Sequence, residues 1–170
     1  VTLETVAKGV AGLVKAIKAL INFIGGSDEN IKKNITYVGL SPKNVPIYSF
    51  QYRIDQTETL YLGTIAQEVE KVYPEVVSQA RGYLAVDYSQ LDIDMQVFSE
   101  AAKTFVPMGP VDYLKMLANV IVPLEEKAVA EGHAESDRFK DCMSQLVEVQ
   151  NSLQALNTGD NKGATCRKNT

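Results

Sequence analysis

Histidine is almost absent from this chain and cysteine is scarce. The 170 residues hold one histidine, His133, and two cysteines, Cys142 and Cys166. Two cysteines, one in a helical pattern and one in a polar tail, build no disulfide framework. With one histidine beside them they have no metal-ligand spacing, so neither a metal nor a cofactor is expected. A Ser-His-Asp triad would have to recruit His133 from a Glu-Gly-His-Ala-Glu stretch, and that arrangement is disfavoured. Basic excess is also lacking. Seventeen Lys and Arg stand against 21 Asp and Glu, for a net charge of −4. A nucleic-acid partner is therefore not expected, because nothing is available to neutralise phosphates. Long apolar runs are missing too. The stretch 10–24 is interrupted by Lys15 and Lys18 and falls short of the ~20 residues a membrane span needs. No signal-peptide pattern is present, and no membrane partner is expected. The chain begins at Val1 rather than Met, which predicts a fragment or a processed product.

What is present is helix periodicity at both ends. Leu3, Val6, Val10, Leu13, Ile17, Leu20 and Ile24 recur at alternating spacings of three and four, with Lys8, Lys15 and Lys18 off the stripe. That alternation is a coiled-coil seam, because residues seven apart face the same partner. Val14, Ile21 and Phe23 widen the apolar face. A helix packed on its own domain, or an amphipathic surface helix, fits the same pattern. Phe139, Cys142, Leu146, Val149, Leu153 and Leu156 carry a second seam in a final helix over 135–157. A tail of Gly, Asn, Lys and Thr from Thr158 is expected to be flexible. A solitary domain would bury the two seams against each other. An oligomer would bury them against copies of itself.

Between the seams the pattern changes. Gly25-Gly26 ends the first helix, and Ser27-Asp28 opens a short helical segment to about Asn34. Residues 46–54 place Tyr48, Phe50, Tyr52 and Ile54 on one face at period two, which predicts a strand. A turn over 55–59 and a return strand over 60–62 follow. Residues 65–72 read as a helix stopped by Pro74. Residues 82–88 read as another strand. From Gln90 the chain is expected to be helical, with a break at Pro107 and Pro110 and a kink at Pro123 in a helix over 111–130. The predicted fold class is α+β: a small mixed core with short antiparallel strands, flanked by long helices. The expected division is a heptad helix over 1–26, a core over 27–91, a helical extension over 92–157 and a tail over 158–170.

Three stretches in series resemble one known family. Ser27-Asp28-Glu29-Asn30-Ile31-Lys32-Lys33-Asn34-Ile35 is similar to its opening signature, a Ser-Asp pair with a Lys five residues after the Ser. Gly63-Thr64-Ile65-Ala66-Gln67-Glu68-Val69, with Pro74-Glu75-Val76 beyond it, is similar to a Gly-aromatic-Ile-Ala-Gln-Glu-Val signature, with Thr64 in the aromatic position. Val86-Asp87-Tyr88-Ser89-Gln90-Leu91 resembles the closing Val-Asp-Tyr-Ser-x-Leu. The family is the C-terminal intramolecular chaperone, or auto-processing, domain of bacteriophage tailspikes, tail fibres and neck appendages. Related domains occur in the myelin regulatory factor group of animal transcription factors.

The resemblance implies a homotrimer that helps an upstream fibre segment of the same polypeptide to fold and then cuts itself away. It implies a virion tail precursor folded in the host cytoplasm. It also implies a scissile bond, Gly26–Ser27, and a catalytic pair, Ser27 and Lys32. A serine hydroxyl needs a base, and lysine can act as one only when neutral, so its pKa must fall by burial or a nearby positive charge such as Lys33. Glycine at 25 and 26 lets the backbone bend and the hydroxyl approach. Asn34 and Gln67 are candidate donors to the developing oxyanion, and Asp28 and Glu68 candidate supporting groups. The structural alternative is that Ser27 only caps a helix and Lys32 is a solvated charge. A trimerisation module of the same fold that does not cleave is the alternative function.

Overall fold

The computed structural model describes residues 1–22 and 26–169, apart from the side chains of Ala80 and of 159–169. Phe23, Ile24 and Gly25, and with them the end of the first expected seam, lie outside the described residues. Helix α1 (Leu3–Ile21) begins at Thr2, whose side chain accepts a hydrogen bond from the Thr5 N–H. Strands β1 (Lys32–Leu40), β2 (Pro46–Tyr52), β3 (Tyr61–Gly63), β6 (Gln96–Ser99) and β7 (Thr104–Pro107) form one antiparallel sheet in the order β1-β2-β3-β6-β7. Helix α2 (Ala66–Val72) and the hairpin β4 (Val77–Ala80)–β5 (Tyr83–Val86) are inserted between β3 and β6. The fold is α+β, as the sequence predicts.

Three expectations are corrected. The segment after Ser27 is not a helix to Asn34. A 3-10 turn spans Glu29–Ile31, capped by Asp28, and β1 starts at Lys32. Ile35, Thr36, Tyr37 and Val38 are β-branched or aromatic and suit a pleated strand. Asn34, at φ 54°, takes up a bulge in its pairing with β2. The stretch from Gln90 is not continuously helical either. Val97-Phe98 and Phe105-Val106 form the β6–β7 hairpin, with Phe98 and Phe105 paired across it at 5.6 Å. Pro107 is tolerated there because β7 is an edge strand. The last helix, α5 (Asp137–Asn169), continues past Asn157, since no proline beyond that point interrupts the intrahelical bonds.

Pro123 acts where the sequence predicts, but upstream of itself. Helices α3 (Pro110–Met116) and α4 (Val122–Ala130) are joined by a π-helical segment, Leu117–Ile121. Proline removes one N–H and pushes on the carbonyl four residues back, and the widened turn relieves both.

The two seams meet inside one chain. Leu13, Ile17 and Leu20 of α1 share a buried cluster with Met116, Leu117, Val120 and Ile121 and with Cys142 and Val149 of α5. The α1–α5 pair is antiparallel, with Gly12 beside Gln145 and Gly9 beside Val149. A Cβ on Gly9 would lie 3.3 Å from Val149 Cγ2, so the bare backbone sets how closely the helices approach. Leu3 and Leu153 remain exposed at the far end of the pair. The inserted hairpin is tied to the helices by Arg81, whose guanidinium bonds buried Glu125 and the Ala134 carbonyl.

Candidate active site

Ser27 and Asp28 come soon after the end of α1 and are both buried, each 3% exposed. The peptide bond before Ser27 is held from both sides. The Gly26 N–H donates to the Ile21 carbonyl at 3.2 Å, and the Ala66 N–H at the start of α2 donates to the Ser27 carbonyl at 2.8 Å. Gly26 has no room for a side chain. A Cβ there would lie 2.4 Å from Ile21 Cγ1 and 2.8 Å from the Ile21 carbonyl oxygen. The glycine before the serine is therefore required by a close approach to α1.

Asp28 anchors the 3-10 turn after it to α2 and β5. One carboxylate oxygen accepts from the Asn30 N–H, the Asn30 side chain and Gln67 Nε2, and the other accepts from the Leu84 N–H at 2.7 Å. Burial works against its charge, but the donors at Leu84, Asn30 and Gln67 outweigh it and hold the carboxyl below its ordinary value. Gln67 completes the clamp by accepting from the Glu29 N–H at 2.9 Å. The opening and middle signatures thus meet at Asp28–Gln67.

Lys32 is 0% exposed. It opens β1 directly across from Tyr52, the last residue of β2. Its Nζ donates to the Thr64 carbonyl at 2.9 Å and sits 3.9 Å from the centre of the Phe50 ring. Burial drives its pKa well below the ordinary lysine value, and the charge of Asp28 only partly opposes this. Lys33 does not supply the shift; it leaves the site to pair with Glu58 at 3.3 Å. The structural alternative of a solvated Lys32 is overturned by this burial, and the cap of the turn is Asp28 rather than Ser27.

Two tyrosines complete the site. The Tyr88 hydroxyl accepts from the Thr64 N–H at 2.9 Å. Thr64 is therefore gripped at both ends, by Tyr88 at its N–H and by Lys32 at its carbonyl. Asp87 aims Tyr88 by capping the 3-10 turn Tyr88–Gln90, accepting from the Ser89 N–H, the Ser89 hydroxyl and Gln90. That is the physical content of the closing signature. Gly63 belongs to the same cradle, since a Cβ on it would lie 2.7 Å from the Tyr88 hydroxyl. The second tyrosine, Tyr52, is fully buried and donates to the Gly26 carbonyl oxygen at 3.0 Å.

The remaining candidates sit elsewhere. Asn34 is exposed on the β1 bulge and donates to Gln51. The Gln67 amide is occupied by Asp28. Glu68 forms a surface pair with Lys71 at 3.2 Å. Sequence reasoning does not single out Tyr52 or Tyr88 as site residues. Tyr88 has a signal in the Val-Asp-Tyr-Ser motif. Tyr52 has none beyond its place on the apolar face of β2.

Beside Ser27 a cavity of about 360 Å³ opens between α1 and the Tyr88 turn, lined by Lys15, Ile21, Asn22, Tyr88 and Met95 among others. The arrangement comprises a buried hydroxyl, a desolvated amine, a carbonyl with a donor on its oxygen, and a roomy neighbouring space. Those are the parts that acyl transfer requires.

Residues 27–78 match the model of a peptidase family described as the chaperone of endosialidase. The match agrees with the resemblance to the C-terminal chaperone domain of phage tail proteins, and it includes Ser27, Lys32, Tyr52, Thr64 and Gln67. The description supports a chaperone role and the classification a peptidase. No curated protein and no solved structure matches the chain.

Proposed function

We propose that this chain is an intramolecular chaperone that severs its own backbone once, between Gly26 and Ser27. The observation that carries the reading is the burial of Lys32, which favours a neutral amine within a few residues of a buried serine. A charged ammonium has three donors and no acceptor. A neutral amine keeps a lone pair while one N–H still donates to Thr64, so it can receive a proton without giving up that anchor.

The chemistry uses these groups in turn. Ser27 Oγ attacks the Gly26 carbonyl carbon, and its proton passes to Lys32. The C–N bond then breaks, the Ser27 nitrogen takes up a proton to become an amine, and an ester joins Gly26 to Ser27 Oγ. Water entering from the adjoining cavity hydrolyses that ester, leaving a Gly26 carboxylate and a new N-terminus at Ser27. Held geometry contributes as well, since nucleophile and carbonyl belong to adjacent residues pinned by Ile21 and Ala66.

The chaperone part of the proposal is a homotrimer that templates an upstream phage fibre or spike segment and is then released. Its support is the apolar surface left uncovered on the single chain. Ile35, Tyr37, Val38 and Leu40 are exposed on edge strand β1, and Leu3, Val147 and Leu153 on the helix pair. Soluble monomers rarely leave such surfaces open. Cutting after assembly would make the upstream fold kinetically irreversible.

The test is a denaturing gel of freshly expressed protein beside Ser27→Ala. The expected result is a fragment beginning at Ser27 from the parent and an intact chain from the variant. Equal cleavage of both at this bond would remove Ser27 as nucleophile.

A further inference from the structure

We infer that Tyr52 is a catalytic residue of the cleavage reaction, the hydroxyl donor that stabilises the oxyanion formed on Gly26. The inference rests on the proposed cleavage at Gly26–Ser27 and assigns a part of that reaction which Asn34 and Gln67, turned to other partners, do not fill.

The geometry is specific. The hydroxyl of Tyr52 has a single hydrogen, and among the described residues two acceptors lie near it: the Gly26 carbonyl oxygen at 3.0 Å and the Met95 sulfur at 4.0 Å. Thioether sulfur is a weak acceptor, so the hydrogen belongs to Gly26. That oxygen becomes negatively charged when Ser27 Oγ adds to the carbonyl carbon. A bond to a full oxyanion is shorter and stronger than one to a neutral carbonyl, so the donor gives more to the transition state than to the resting chain.

The surroundings increase the effect. Tyr52 is 0% exposed and its ring is held edge-on by Phe50 and Tyr61 at 5.4 Å each. Water cannot compete for the oxygen on that side, and the hydroxyl needs no reorientation during reaction. Burial first, then the neighbouring Tyr88, Tyr61 and Asp55, push the phenol well above its ordinary value, so it stays protonated as a donor. The sheet register adds a further link. Lys32 and Tyr52 are Cα partners across β1 and β2. One rung of the ladder therefore carries both the proton acceptor for Ser27 and the donor for Gly26, and no hinge separates them.

The test is Tyr52→Phe, which keeps the ring and removes the hydroxyl. Cleavage is followed by intact mass over time, and folding by thermal melting of Tyr52→Phe in a Ser27→Ala background. The expected result is a rate lower by about 10²–10³-fold, the usual cost of one oxyanion donor, with the folded state retained. A merely structural hydroxyl would lower the melting temperature without this loss of rate. As a second arm, 3,5-difluorotyrosine placed at position 52 alone retains the hydroxyl as a stronger donor, and cleavage is expected to accelerate. A Tyr52→Phe protein cutting at the parent rate overturns the inference. If that variant does not fold, an unchanged rate with the fluorinated residue overturns it. Either outcome alongside normal Ser27-dependent cleavage leaves the proposed function standing, whereas loss of Ser27 dependence removes both.

Discussion

Replacing Lys32 with methionine separates the two things that this side chain does. Methionine fills much the same volume without an amine, so the proposed base is gone and cleavage is expected to stop. The effect on stability has two opposing parts. The Thr64 carbonyl loses its donor, which costs about 1–3 kcal/mol for a buried polar group left unpaired. Against this, burial lowers the pKa of the parent's lysine, and each pH unit over which it is neutral in the fold but charged in the unfolded chain costs about 1.4 kcal/mol. Between the lowered folded pKa and the ordinary value of 10.5, the unfolded chain binds one proton more than the native chain. Stability of the parent therefore rises with pH through that window, and the penalty is complete once pH has fallen below the folded pKa. Lys32→Met lacks this dependence. Both proteins are compared in a Ser27→Ala background so that neither is cut, by denaturant melts at several values from about pH 7 to about pH 10. The account predicts that the advantage of methionine is greatest at the lower values and shrinks as pH rises, with a slope of up to about 1.4 kcal/mol per unit. A stability difference that does not change with pH would show Lys32 to be charged in the fold, and its role as base would fall.

Other outcomes depend on single contacts. Gly26→Ala is expected to lower thermal stability by about 1–3 kcal/mol, as overpacking does, because the added carbon meets Ile21 backbone as well as side chain; an unchanged melting temperature in the Ser27→Ala background would contradict it. Leu153→Asp, at an exposed position on α5, is expected to leave the isolated chain within about 0.5 kcal/mol of the parent while reducing the mass measured by light scattering. An undiminished mass would show that this face is not an assembly surface, and full-rate cutting by a monomer would show that assembly and chemistry are uncoupled.

The parts of the structure legible in the sequence are those set by local periodicity. Tyr48, Phe50 and Tyr52 alternate cleanly and mark β2, and Leu60–Leu62 is readable as its return strand because a polar turn separates them. Strand β1 escapes sequence reasoning because the bulge at Asn34 breaks its alternation and its outer face is apolar yet exposed. The β6–β7 hairpin escapes it because two four-residue strands give too few repeats to establish period two. Both heptad seams are visible, but their mutual packing is not. Its signal is Gly9 and Gly12, which open the face of α1 that meets Val149 and Gln145. The site divides in the same way. The spacing of Ser27 and Lys32 is a sequence fact, whereas the burial that makes Lys32 a candidate base comes from its cross-strand pairing with Tyr52, twenty positions away along the chain. Tyr52 meets Gly26 across 26 positions of the chain, so no short linear motif reports the contact.

The most direct measurement of the central claim is the intact mass of the protein at successive times after synthesis, with sequencing of any new N-terminus. The account predicts that the full chain gives way to two species divided between Gly26 and Ser27, one beginning Ser27-Asp28-Glu29. A folded protein that keeps a single, uncut mass throughout would contradict it.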